Sequence, residues 1–175
     1  AFVEGAVGGA LAYETTILRD GRIHVRRGSW HDAFNALAWL AFPRTKAALN
    51  ACHVAEGAGG GANARTRARD AATLLDESGM IVVCADASLE RLLREHAWNA
   101  LFVARRDDVV AMLCPWVLGH GLLQKLRSPY RALTANVLWI RGAGDDGAAD
   151  RGRVDAAAAA SLDARAPDPA FLLRL

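Results

Sequence analysis

Residues 29–56 read SWHDAFNALAWLAFPRTKAALNACHVAE. Ser29 or Gly28 precedes a helix that runs from about Trp30 to Phe42. Phe34, Leu37, Trp39 and Leu40 make that helix apolar nearly all round, the pattern of an enclosed helix, so all four are expected in the core. Pro43 stops it, because the residue before a proline is pushed out of the helical region, and then serves as the first residue of a second helix that Gly57 ends. This apolar pair nevertheless carries His31, Asp32, Asn35, Asn50, His53 and Glu56. If the helices fold back antiparallel about Pro43, each arm rises ~15 Å from the bend, and His31 comes opposite His53 and Glu56 while Asn35 comes opposite Asn50. His31 and Asn35 are four apart, and Asn50, His53 and Glu56 three apart, so each set lies on one helix face. The expectation is that His31 and His53 share a ligand, with Asp32, Glu56 or Asp76 nearby.

Outward from this pair, two turn signals stand out. Arg19-Asp20-Gly21 separates strand-like stretches at 12–18 and 22–27, and Asp76-Glu77-Ser78-Gly79 separates 71–75 from 80–85; both predict β-hairpins. A helix through Leu74 and Leu75 is the competing reading of the second. Between them, 57–64 is a glycine-rich linker with no phosphate-loop pattern, followed by Arg65, Arg67 and Arg69 at alternating positions. Asp86 caps an amphipathic helix over 87–98, and 105–128 reads as a long helix kinked at Pro115 that carries His120 beside leucines. A strand over 134–142 and an Ala-rich helix within 145–169 complete the chain. The fold class is α+β, with antiparallel β-hairpins interspersed with helices around a central apolar helical pair, in a single domain over 1–175.

The composition narrows the class of protein more than its role. The chain has 175 residues, 53% of them hydrophobic and 23% charged, with a net charge of +2, so its charge gives no strong nucleic-acid signal. No uncharged apolar run reaches the ~18 residues of a membrane span. Cys52, Cys84 and Cys114 are odd in number and form no C-x-x-C pair, which argues against a disulfide framework and for a reducing cytoplasm. The Ala, Arg, Gly and Asp richness fits a bacterial source, and the opening AFVEGAVGGALA, interrupted by Glu4 and without a basic segment, is not read as a signal peptide.

Four stretches together carry a resemblance. Tyr13-Glu14, the run from Trp30 to His53, Arg69 to Gly79, and Gly119-His120 are similar to the pattern YE-x-x-I, WHD-x-FNAL-x-W-x-x-FP-x-x-K-x-x-LN-x-x-H, RD-x-x-TL-x-DESG and GH of an uncharacterised proteobacterial family, a domain of unknown function. Before the Trp30 motif that family usually reads VPTRxN, whereas this chain has Ile23 to Ser29 as IHVRRGS, so that only Arg27 matches. Its members usually extend beyond both ends of this sequence, which implies a core fragment of a somewhat longer protein. The resemblance implies no known activity.

Two functions fit these residues. In one, the protein is a non-catalytic binding or assembly module, with Asn35, Asn50 and His120 in a structural polar network. In the other it is a divalent-metal-dependent hydrolase, with phosphoesters as a substrate class. The catalytic candidates are then His31, Asp32, His53 and Glu56, and the metal candidates His31, His53, Glu56 and Asp76. Arg27, Arg44 and Arg69 would take an anionic substrate group.

Overall fold

The computed structural model describes residues 1–59, 66–142, 150–165 and 173–174. Strand β1 (Phe2–Glu4) leads into helix α1 (Ala10–Asp20), and β2 (Ile23–Val25) returns parallel to β1. The stretch read as the first strand of a hairpin is therefore helical. Gly21 does supply the positive φ of 62°, but as the left-handed cap whose N–H closes on the Ile17 carbonyl. Helix α2 (Trp30–Ala41) starts at Ser29, which caps the Asp32 N–H, and α3 (Pro43–Gly59) starts at Pro43, as the sequence predicts. The linker and Arg65 fall largely outside the described residues.

Helix α4 (Arg67–Ser78), capped by Thr66, runs directly into β3 (Gly79–Val83). The second hairpin is thus a helix followed by a strand, and the competing reading through Leu74 and Leu75 is the one realised. Helix α5 (Ala87–Arg94) is capped by Asp86, a short π-helical turn covers Ala100–Ala104, and α6 (Arg106–Met112) follows. The long kinked helix is not formed. Cys114–Val117 is strand β4, antiparallel to β3, and α7 (His120–Lys125) begins afresh after it. Pro115 fits because β4 is an edge strand, where a missing N–H can face away from the ladder. Strand β5 (Asn136–Ile140) pairs parallel with β3 on its other side, α8 (Arg151–Arg165) follows, and β6 (Leu173–Arg174) pairs antiparallel with β5. The architecture is α+β, with a four-stranded mixed sheet in the order β4-β3-β5-β6.

The sheet is covered on both faces. Ile81 packs with Phe42, Leu49, Leu75, Leu118 and Leu138 on one side; Val82 packs with Leu89, Leu93, Leu101 and Val137 on the other, the alternation expected of a strand. Two expected core residues are not there: Leu37 is 53% exposed and Leu40 60%, and Phe34 and Trp39 are only half-buried. Helix α2 packs mainly on α7, while α3 packs on α8 and α1, so the two helices do not run back along one another. Apart from Ala38, the buried face of α2 is its polar one, at Asp32. This arrangement turns His31 toward α7 rather than toward His53.

Candidate functional site

Two glycines bring α4 and α7 into contact. A Cβ on Gly119 would lie 2.4 Å from the Gly79 nitrogen, and one on Gly121 would lie 2.6 Å from the Glu77 carboxylate. Only the missing side chains let His120, held between them, reach the end of α4. His120 is 4% exposed. Its Nε2 lies 3.0 Å from His31 Nε2 and 3.4 Å from Glu77 Oε1, and His31 Nε2 lies 3.9 Å from the same oxygen.

The outer ring nitrogens decide what those three atoms present. His31 Nδ1 lies 3.3 Å from Gln124 Oε1, an acceptor, so Nδ1 carries the proton and Nε2 a lone pair. His120 Nδ1 has no hydrogen-bond partner among the described residues, with Asp76 Oδ2 3.8 Å away. Glu77 is held below its ordinary pKa, first by its hydrogen bond with His120, and so stays ionised. Two imidazole nitrogens and one carboxylate oxygen thus meet in one space, where a shared proton or a cation can sit between them.

Behind them lies an ion pair. Lys46 is almost fully buried, donates to Asp76 Oδ1 and to Asn35 Oδ1 (2.8 Å), and lies over the Trp39 ring. Burial works to raise the Asp76 pKa, but the Lys46 and His120 charges outweigh it and hold it down. Asn35 Nδ2 donates to the Tyr13 hydroxyl at 2.9 Å. Asn50 Nδ2 donates to the Glu14 carbonyl at 2.9 Å and to its Oε2 at 2.6 Å. Burial raises the pKa of both Tyr13 and Glu14. Asp32 is tied to Arg26, which donates from Nε, Nη2 and its backbone N at 2.7–2.8 Å; the Arg26 side-chain bonds, above all, hold Asp32 well below the usual carboxylate range.

These groups open on a cavity of about 420 Å³ whose wall includes Tyr13, Glu14, Arg26, His31, Glu77 and His120. A second cavity of about 240 Å³ shares Glu14, Asp76 and Glu77 with it and adds His53, Arg69 and Thr73. The predicted residues therefore divide. His31, Asp32, Asn35 and Asp76 come together at the first cavity. His53 and Arg69 line the second, and Glu56 is half-buried but lines neither. Arg27 is exposed and lines neither cavity, and Arg44 contributes only its backbone N–H, to Asp155. His120, expected beside leucines and in a structural polar network, is buried and is the partner of His31.

Tyr13, Glu14, Arg26, Lys46 and Gln124 were not predicted for the site. The resemblance had touched Tyr13-Glu14 and the Lys46 position, and glycines on both sides of His120 were a readable sign of close backbone approach. Tyr13 and Glu14, His31 and Asn35, Asp76 and Glu77, and His120, at least one residue from each stretch quoted for the resemblance, line the first cavity. A family model, that of a protein of unknown function (DUF3025), matches residues 1–171. The chain belongs to this family. No curated protein and no solved structure matches it. No helix among the described residues is long and apolar enough to cross a membrane.

Proposed function

We propose that the protein binds a divalent metal ion through His31, Glu77 and His120 and works as a metal-dependent hydrolase on the substrate that fills the cavity. The observation that carries this is that one ring nitrogen of each histidine and one Glu77 oxygen lie within 4.8 Å of one another, as the ligand atoms of a metal ion do. Such a cluster calls for a cation. Edges of 3.0, 3.4 and 3.9 Å define a circle of about 2.0 Å radius, which matches the ~2.0–2.2 Å bonds zinc makes to imidazole and carboxylate. Two histidines and one glutamate are also a donor set used by hydrolytic zinc sites. A three-residue site leaves a position open, and the metal would supply water activation and polarisation of a substrate oxygen there. Gln124 would support His31 by accepting from its Nδ1, and Glu14, whose pKa burial raises, is the cavity residue suited to proton transfer.

The substrate reading shifts away from phosphoesters. Arg26 and Lys46 are paired with Asp32 and Asp76, which leaves Glu14 and Glu77 as the carboxyl groups of the wall without an arginine or lysine ion pair among the described residues. An acyl substrate, neutral before attack, suits that wall better. The structural reading keeps the inner half of the cluster, where Lys46, Asn35 and Asn50 are bonded among side chains of four helices. We place the protein in a bacterial cytoplasm, where the thiols of Cys52 and Cys84 stay reduced.

Elemental analysis of the purified protein should find close to one divalent metal per chain, and His120→Ala should lose it. Metal-loaded protein should hydrolyse chromogenic acyl esters, with the rate abolished by chelation and by Glu77→Gln. A chain that neither carries metal nor binds added zinc saturably would contradict the proposal.

A further inference from the structure

Tyr13 sits at the end of a hydrogen-bond chain whose direction is fixed from its far end. Lys46 Nζ can only donate, so the Asn35 atom facing it at 2.8 Å is the amide oxygen. The Asn35 NH2 is then the group that faces Tyr13, and the phenol oxygen accepts from it at 2.9 Å. The Tyr13 O–H proton must therefore go elsewhere. Among the described residues it has no acceptor, and Tyr13 is part of the wall of the cavity that His31, Glu77 and His120 also line. Helix α2 couples the two halves: Asn35 lies one turn after His31, so the residue that orients the phenol and the residue that would hold the metal share a helix face. The phenol keeps its proton, because burial and the neighbouring carboxylates Glu14 and Asp76 all oppose its loss.

From this polarity, and resting on the metal reading above, we infer that Tyr13 donates its hydroxyl proton in a hydrogen bond to the carbonyl oxygen of an acyl ligand held at the metal. The ligand oxygen would then be polarised from two sides, by the cation and by a neutral donor. A neutral donor adds no fixed charge to an acidic wall, and it binds most strongly when negative charge grows on that oxygen. Asn35 is a positioning residue here: it turns the phenol without touching the ligand.

The probe is acetohydroxamate, a small acyl metal ligand, added to the cobalt-loaded protein and followed by the visible cobalt spectrum. Tyr13→Phe should bind cobalt as the wild type does and bind acetohydroxamate roughly tenfold more weakly, the loss of about one hydrogen bond. Asn35→Asp tests the polarity itself. Its carboxylate would still pair with Lys46 but would accept from Tyr13, drawing the O–H away from the cavity. That variant should lose a similar factor with Tyr13 intact. Unchanged hydroxamate affinity in Tyr13→Phe, with cobalt bound normally, overturns this inference alone. Absence of saturable cobalt binding in the wild type overturns the metal reading and this inference with it. Inorganic phosphate that displaces acetohydroxamate at lower concentration than acetate does would overturn the acyl assignment.

Discussion

Two polar nodes tie these helices together, and they are finished in different ways. At the junction of α2 and α3, Asp155 of α8 reaches across to the start of α3. It accepts from the backbone N–H of Arg44 at 3.0 Å and of Thr45 at 2.8 Å, and from the Thr45 hydroxyl at 2.7 Å. Asp155 is buried, and the helix terminus it caps has no other side-chain partner among the described residues. Every donor there meets an acceptor. At the node of α2, α4 and α7 the count runs the other way: two imidazole nitrogens and a carboxylate oxygen converge, with only the imidazole N–H groups to share between them. A node closed by the protein itself holds the fold. A node left with converging ligand atoms holds something else, or a proton in its place.

The largest effect should come from opening the closed node. Asp155→Ala leaves the Arg44 and Thr45 backbone N–H groups unpaired and the Thr45 hydroxyl with only its longer bond, 3.2 Å to the Asp155 carbonyl, and should cost about 3 kcal/mol in urea unfolding. Metal binding should be unchanged, since no ligand sits on α8. A cost below about 1 kcal/mol would show that water replaces the cap and that the first node is not closed. Next comes the glycine contact. Gly119→Ala forces a methyl against the Gly79 backbone and should cost about 2 kcal/mol. Because it moves His120 away from Glu77, it should also weaken metal binding, which links packing to the open node as Asp155→Ala does not.

His31→Ala should behave in the opposite way. His31 is partly exposed and its one outer bond is 3.3 Å long, so the chelated protein should lose less than about 1 kcal/mol. The wild type should melt at a higher temperature in zinc, because a ligand that binds only the folded state stabilises it, and the variant should not. A zinc-dependent rise retained in His31→Ala would move the site elsewhere. The smallest effect belongs to the outer face of α2: Leu37→Ala should stay within about 0.5 kcal/mol, since its side chain is already in solvent.

Much of the helical frame was legible in the sequence. Ser29, Pro43 and Asp86 mark helix starts by local chemistry, and each stands where the fold uses it. Asn136–Ile140 is rich enough in strand formers to be read alone. Elsewhere, one local signal had two solutions. Asp20-Gly21 offers the positive φ that a hairpin turn and a helix cap both require, and only the packing of α1 on α3 chooses between them. Pro115 kinks a helix or tolerates an edge strand, and the pairing with β3 decides. Leu37 and Leu40 look like core by composition, yet α2 turns its polar side inward. His31 stands beside His120 and Glu77. Its partner was missed because the antiparallel image about Pro43 put it opposite His53, whereas a contact 89 residues away on α7 was set by glycine packing that no periodicity records.

The comparison between the nodes rests on whether a cation completes the second. Crystals grown with zinc and measured on both sides of its absorption edge test this most directly. The account predicts one anomalous peak about 2.0–2.2 Å from His31 Nε2, His120 Nε2 and Glu77 Oε1, facing the cavity, with the Asp155 node unchanged. A zinc-soaked crystal with no peak there, and the two imidazoles still bonded to each other, would contradict it.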